Sequence, residues 1–259
     1  MDKYLNKIIT GDCLEVMKGF DNESIDLVVT SPPYDNLRDY KGYSFNFEGI
    51  AKELFRIIKQ GGVIVWVVGD ATVNGSETGT SFKQALYFKE IGFNLHDTMI
   101  YQKPSPPLTH NRYEQHFEYM FILSKGKPKT FNPIREKKNY MDTRQNKAMR
   151  REKDGTYDRG FMSKSEDKIT NNVWLIQAGH GKGTQDEIAW QHPATFPEEL
   201  ASRHISSWSN INDIVLDPMC GSGTTTKMAK QLRRNFIGIE ISPEYCKIAE
   251  ARLKQEVLF

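Results

Sequence analysis

Several classes of protein are excluded by what this sequence lacks. Cysteine is scarce, with only Cys13, Cys220 and Cys246 among 259 residues. Odd in number and far apart, they form neither a disulfide framework nor a metal-ligand spacing. Such usage belongs to a reducing compartment, and a cytoplasmic location is expected. Long apolar runs are missing too. The longest, Val63 to Val68, falls far short of the roughly 20 residues that a membrane-spanning helix needs. The opening Met1-Asp2-Lys3-Tyr4 carries no charged-then-apolar signal segment. There is no internal repeat and no low-complexity tract, which excludes solenoids and fibrous chains. Net charge is only +2, so bulk charge points to no partner.

What the chain does have is alternation. Strand-like runs fall at Ile25–Thr30, Gly62–Val68, Thr98–Tyr101, Glu118–Leu123, Ile214–Leu216 and Phe236–Ile239. Helix-like stretches lie between several of them. Phe47 to Lys59 sets Ile50, Leu54, Ile57 and Ile58 on one face. Pro197 to Trp208 begins with a helix-starting proline and spaces Leu200, His204, Ile205 and Trp208 helically. Ser242 is a good N-cap for Pro243 to Leu253. This alternation predicts an α/β fold with a mostly parallel sheet covered on both faces. A chain of this length buries one sizeable core, with room for an insertion. Lys127 to Lys168 has the composition of one, with thirteen Lys/Arg against seven Asp/Glu, few aliphatics and little periodicity. Such a segment is either solvated and partly disordered or a surface that meets phosphates.

Two stretches carry chemistry. In "VVTSPPYDNL", residues 28–37, a β-branched run halts at Ser31-Pro32-Pro33-Tyr34. Two prolines cannot continue a central strand, because each lacks a backbone N–H. In "IVLDPMCGSGTTTKMAKQL", residues 214–232, an apolar strand leads into Asp217-Pro218, then Gly221-Ser222-Gly223, then a helix. Glycines let a backbone turn sharply and approach a ligand closely. The helix N-terminus offers N–H groups to an anion. The next strand ends in Glu240, 23 residues after Asp217, where an acid can accept ribose hydroxyls. Gly-x-Gly alone is as well explained by a tight structural turn. Strand, turn, helix, strand and acid in register favour a nucleoside cofactor. Position 226 is Thr, where a phosphate-cradling fingerprint has a third glycine, and no Walker sequence is present. "GHGKGT", residues 179–184, has the wrong spacing and reads as a loop. A cofactor with a carboxylate in place of a pyrophosphate suits Gly221–Thr225, and S-adenosylmethionine has a ribose, an adenine and an amino-acid end.

Together, Asp-Pro-Met-Cys-Gly-Ser-Gly-Thr from Asp217 and Ser-Pro-Pro-Tyr from Ser31 resemble the amino-group DNA methyltransferases, which methylate the exocyclic nitrogen of cytosine or adenine. The corner comes first, the basic insertion next and the cofactor loop last, a circularly permuted order similar to the beta group. The resemblance covers most of the chain. "ITGDCLEVMKGF", residues 9–20, matches the acidic adenine-contacting segment at Asp12, and "HPATFPEELASRHI", residues 192–205, matches the segment before the cofactor strand. It implies a Rossmann-like S-adenosylmethionine-dependent methyltransferase domain over 1–126 and 173–259. The target-recognition insertion is then 127–172. The implied cofactor contacts are Asp12, Asp217, Pro218, Cys220, Gly221, Ser222, Gly223, Thr224, Thr225 and Glu240. The implied DNA contacts are Lys137, Lys138, Arg144, Lys147, Arg150, Arg151 and Lys153. Double-stranded DNA is the expected partner of a monomer or homodimer, with a cognate restriction endonuclease of the same site as a further candidate. Neither metal nor membrane is expected. One departure is Phe196, where many relatives have lysine near the methionine end of the cofactor. Backbone N–H groups and Thr224 or Thr225 then have to serve its carboxylate.

Within that resemblance the Pro-Pro corner acquires a reason. An exocyclic amino nitrogen is a poor nucleophile, because its lone pair is delocalised into the ring. Acceptors aimed at its protons favour the charge that develops as it attacks a methyl group. The Pro32 carbonyl and Ser31 Oγ are the candidate acceptors, and Tyr34 would stack on a base taken out of the duplex. Adenine-N6 relatives usually carry Asp or Asn where this chain has Ser31, so cytosine N4 is expected ahead of adenine N6. A serine hydroxyl can donate to cytosine N3 or accept from N4–H, although adenine has the same pattern at N1 and N6. An RNA or protein methyltransferase is a rival reading, but those enzymes usually place the cofactor loop before the corner. A DNA-binding module without catalysis is another, against which stand the intact Ser31–Tyr34, Gly221, Gly223 and Glu240. Asp70 is either a pocket acid or a helix cap. His192, His204, Trp66 and Trp174 read as structural.

Overall fold

A computed structural model describes residues 1–33, 45–104, 112–138, 148–160, 166–179 and 181–255. It contains two compact units, Met1–Asn132 with Asn172–Phe259, and Pro133–Asn171. The main sheet has strands β1 (Lys7–Thr10), β2 (Ile25–Thr30), β3 (Ile58–Val68), β4 (Asn94–Gln102), β5 (Phe117–Ser124), β6 (Val173–Leu175), β7 (Ile214–Asp217) and β8 (Asn235–Glu240). Their order is β1-β8-β7-β2-β3-β5-β4-β6. Neighbours are parallel except where β5 runs antiparallel to β3 and β4. The helices are α1 (Cys13–Met17), α2 (Phe47–Ile57), α3 (Thr80–Glu90), α4 (Glu198–Trp208), α5 (Thr224–Gln231) and α6 (Pro243–Lys254).

Strands buried on both faces read as continuous apolar runs, and Val63–Val68 is such a run. Ile64, Trp66 and Val68 join one core cluster with Met17 of α1, Leu54 of α2 and Phe88 of α3. Val63, Val65 and Val67 must point to the other face and are equally buried, as are Leu200, Ala201 and Ile205 of α4. Side chains fix the starts of α1, α2 and α3, whereas Ser242 precedes α6 without a side-chain capping bond. Asp12 Oδ1 accepts the Glu15 N–H at 3.0 Å, and Asn46 Oδ1 accepts the Gly49 N–H at 3.0 Å. Asp70 Oδ1 accepts the Ser81 N–H at 2.8 Å in the first turn of α3, so Asp70 is a helix cap. Trp66 and Trp174 are core residues.

Three features differ from the sequence reading. β3 begins at Ile58, inside the expected helix, because Ile58 pairs with Ile25 before a register shift lets the strand continue at Val63 opposite Leu27. α3 has no apolar stripe to reveal it. Its buried face is Ser81, Gln84, Ala85 and Phe88, and Gln84 is there to accept the buried Trp66 Nε1–H at 2.8 Å. In the smaller unit, Arg135–Lys137 pairs antiparallel with Asp167–Ile169, and Ala148–Arg151 with Tyr157–Gly160. The second pair turns through Gly155 at φ 86°, with Asp154 Oδ1 accepting the Thr156 N–H at 2.9 Å. Ladders therefore stand where composition allowed disorder. Among the described residues no helix is long and apolar enough to cross a membrane.

Candidate active site

β2 and β7 lie side by side, with Val28 opposite Leu216. From β7 the chain passes through α5 to β8 on one side. From β2 it passes through α2 to β3 on the other. The gap beyond their C-terminal ends is therefore a topological switch point, the usual ligand crevice of an α/β sheet. Thr30 Oγ1 donates to Asp217 Oδ1 at 2.8 Å, and Thr225 Oγ1 donates to the Val29 carbonyl at 3.1 Å. These bonds join the two informative stretches of the sequence. Pro32 is buried, and Ser31 and Pro33 are half-buried. Tyr34 lies outside the described residues.

Two acids sit at this edge of the sheet. Burial raises the Asp217 pKa to about 6, although Thr30 and the Met219 N–H both hold its charged form. Glu240 pairs with Thr10 at the end of β1. One of its oxygens accepts the Gly221 N–H at 2.9 Å, and the other accepts the Ser242 N–H at 2.9 Å. Burial pushes its pKa upward as well. Asp12 follows β1 by two residues, is exposed, and spends one oxygen on its helix cap. Pro218 and Cys220 are buried, and burial holds the Cys220 thiol well above its usual range.

The glycines serve the protein before any ligand. A Cβ on Gly223, at φ 78°, would lie 2.7 Å from the Ala249 Cβ, and one on Gly221, at φ 51°, 2.9 Å from His192 Nε2. The close helix–strand contact that a third glycine would give comes from the strand instead, since a Cβ on Gly238 would meet Thr226 Cγ2 at 2.9 Å. The loop hydroxyls turn inward. Thr225 binds Val29, Thr226 Oγ1 donates to the Gly223 carbonyl at 2.9 Å, and Ser222 Oγ and Thr224 Oγ1 accept from Arg252 at 3.2 and 2.9 Å. Ser222, Thr224 and Thr225 are 3% exposed or less.

Sequence reading missed four residues next to this loop. Arg252 of α6 and Lys227 of α5 are buried and meet the half-buried Asp186 and Glu198 in a cluster of four ion pairs between 2.6 and 3.0 Å. The available signal was a pair of cations at inward-facing helix positions, with Arg252 one turn after Ile248. His192 packs on Tyr245, ring centroids 4.3 Å apart. His204 is fully buried, contacts Met120 Sδ at 3.2 Å, and burial lowers its pKa to about 3. In the smaller unit Lys137, Arg151 and Lys153 are exposed and Lys138 is half-buried, while Arg150 lies in a strand. Arg144 and Lys147 lie outside the described residues. Among the described residues no cluster of His, Cys, Asp or Glu could hold a metal ion.

The chain belongs to the DNA methylase family, whose match spans residues 25–251. It is 58% identical over 240 residues to the orphan methyltransferase M.BamHII of Bacillus amyloliquefaciens, covering 91% of each chain. The DNA modification methylase TTHA0409 of Thermus thermophilus, solved with S-adenosyl-L-methionine, matches at TM-score 0.65 and 26% identity over 95% of this chain and 92% of that one. The PvuII cytosine-N4-specific DNA methyltransferase shares the fold, with TM-score 0.70 at 22% identity over 97% of this chain and 87% of that one. The chain is thus an S-adenosylmethionine-dependent DNA methyltransferase with the α/β fold of that class.

Proposed function

We propose that the chain transfers a methyl group to the exocyclic N4 of a cytosine flipped out of duplex DNA, at a specific site. The observation that supports a single site is the Thr30–Asp217 hydrogen bond, which joins the strand ends leading into the Ser31 corner and the Gly221–Thr225 loop, and serine at position 31 supports cytosine over adenine. The residues present fit the cofactor. Each Glu240 oxygen accepts one backbone N–H and keeps a lone pair for a ribose hydroxyl. Asp12, beside Glu240 at the end of β1, serves the adenine. Asp217 and Glu240 place negative charge where a cationic ligand would rest. With Phe196 in place of lysine and the loop hydroxyls turned inward, the cofactor carboxylate falls to backbone N–H groups at the start of α5. S-adenosylmethionine supplies an electrophilic methyl group on a sulfonium.

The corner supplies the rest. The Pro32 carbonyl, held rigid by the two prolines, accepts a hydrogen bond from one amino N–H of the base, and Ser31 Oγ meets the other N–H or the ring nitrogen. The amino proton released on methylation passes to solvent. Tyr34 stacks on the extruded base and offsets part of an unstacking cost of a few kcal/mol. The insertion at 127–172 carries target recognition, with Lys137, Lys138, Arg144, Lys147, Arg150, Arg151 and Lys153 meeting phosphates or base edges. The circularly permuted order and cytoplasmic location belong to the same reading. M.BamHII is an orphan methyltransferase, which favours a chain acting alone, as monomer or homodimer, over one paired with a cognate endonuclease. The test is to methylate DNA, hydrolyse it and separate the nucleosides by mass spectrometry. N4-methylcytosine is the expected product. N6-methyladenine without methylcytosine overturns the base assignment.

A further inference from the structure

The Arg252 side chain is completely buried, and every N–H of its guanidinium is used. Nε donates to Asp186 Oδ2 at 3.0 Å. Nη2 donates to Glu198 Oε1 at 2.6 Å and Thr184 Oγ1 at 3.4 Å. Nη1 donates to the Ser222 carbonyl at 2.8 Å and to Thr224 Oγ1 at 2.9 Å, with Ser222 Oγ at 3.2 Å. One planar fork therefore ties the cofactor loop to the segment running from Thr184 to Glu198. Lys227 Nζ closes the cluster on the same two carboxylates, at 2.6 Å from Asp186 and 2.8 Å from Glu198. Two cations balance two anions. Such a cluster is an expensive way to obtain stability, since apolar packing of the same volume does as well. Its geometry offers something apolar packing lacks, because directional donors fix the Ser222 carbonyl and the Thr224 hydroxyl at the turn into α5.

We infer that Arg252 is a positioning residue that holds the Gly221–Thr225 loop in its cofactor-binding shape, with Lys227, Asp186 and Glu198 as its counter-charges. The inference rests on the proposed cofactor role of that loop. Lysine cannot replace the fork, because an ammonium is a point charge without two coplanar donor pairs.

The test uses the full chain and two variants that preserve charge balance. Arg252→Lys keeps two cations against two anions, and Arg252→Met with Asp186→Asn leaves one of each. Both should weaken S-adenosylmethionine binding at least tenfold by calorimetry and raise its KM. Affinity for duplex DNA without cofactor should stay within twofold of wild type, and kcat at saturating cofactor within threefold. If Arg252→Lys binds the cofactor within twofold of wild type, the inference fails. It fails equally if cofactor and DNA affinity fall together with the melting temperature, which would mark a purely structural cluster. Should Arg252→Lys not fold, the double variant decides by the same criteria. Glu240→Ala is measured alongside. If it weakens cofactor binding while both Arg252 variants do not, only the inference about Arg252 falls. If none of them changes binding, the cofactor role of the loop is wrong.

Discussion

Asp217→Asn separates what the site costs from what it does. Burial lifts the Asp217 carboxyl from the ordinary 3.8 to about 6. The folded state then binds this proton more tightly than the unfolded chain, so stability falls as pH rises between about 4 and 6. At about 1.4 kcal/mol for each pH unit of displacement, the ionised carboxylate destabilises the fold at pH 7.5 by about 3 kcal/mol relative to its neutral form. Asparagine resembles that neutral form and can still accept from Thr30 and the Met219 N–H, which lie 2.8 and 3.2 Å from Oδ1. Asp217→Asn should therefore match wild type only near pH 3, exceed it by about 1 kcal/mol at pH 4.5 and exceed it by about 3 kcal/mol at pH 7.5. Urea unfolding across pH 4.5–7.5, with equal m-values, measures the difference directly. A carboxylate kept at that cost must be repaid in binding, so the same variant should bind S-adenosylmethionine less tightly at pH 7.5. Equal stability at both pH values would show that the carboxyl is not destabilised by burial. A more stable variant with undiminished cofactor affinity would refute the functional half of the reasoning.

Other expectations are equally direct. Glu240→Ala should weaken S-adenosylmethionine binding by about 1.5–3 kcal/mol, the scale of a hydrogen bond to a charged group, measured by calorimetry. Because burial raises Asp217 to about 6, cofactor affinity should increase as pH rises from 5 to 7 and this acid ionises, an effect that calorimetry in buffers of different ionisation heat can follow. Charge reversal at Lys137, Arg151 and Lys153 should reduce the log–log salt slope of DNA binding by roughly one for each phosphate that is no longer neutralised and leave cofactor binding intact. An unchanged slope makes the basic segment a bystander. Gly223→Ala should destabilise the fold by about 1–3 kcal/mol through overpacking alone, since the new methyl meets Ala249 at 2.7 Å. Thermal unfolding reads this, and a neutral outcome would mean that α6 gives way easily.

The fold was legible wherever burial wrote a simple pattern. Val63–Val68, Ile25–Thr30 and Leu200–Trp208 show their burial as apolar runs or helical spacing. α3 does not, because two polar residues on its inward face answer to Trp66 and Asp70. β1 and β6 are only four and three residues long, too short to show a period. The site was legible as two motifs, but their meeting was not. Thr30 looks like one more strand residue until Asp217 is placed beside it. Asp186, Glu198, Lys227 and Arg252 are scattered over 67 residues of sequence, and nothing in their spacing pairs them. Only the packing of α5 and α6 against Asp186 and the start of α4 brings them together. The glycines were read for the right turn but for an incomplete reason, since His192 and Ala249 fill the space that their side chains would take.

The most direct measurement is methyl transfer by Ser31→Ala, using labelled S-adenosylmethionine and duplex DNA, with tRNA and protein extract in parallel. If the Ser31 corner and the Gly221–Thr225 loop form one active site, wild type labels duplex DNA. The variant should bind the cofactor as wild type does and turn over roughly 10²-fold more slowly, the usual loss when one transition-state hydrogen bond is removed. A variant that labels duplex DNA at the wild-type rate, or a wild type that labels tRNA or protein in place of DNA, would contradict the account.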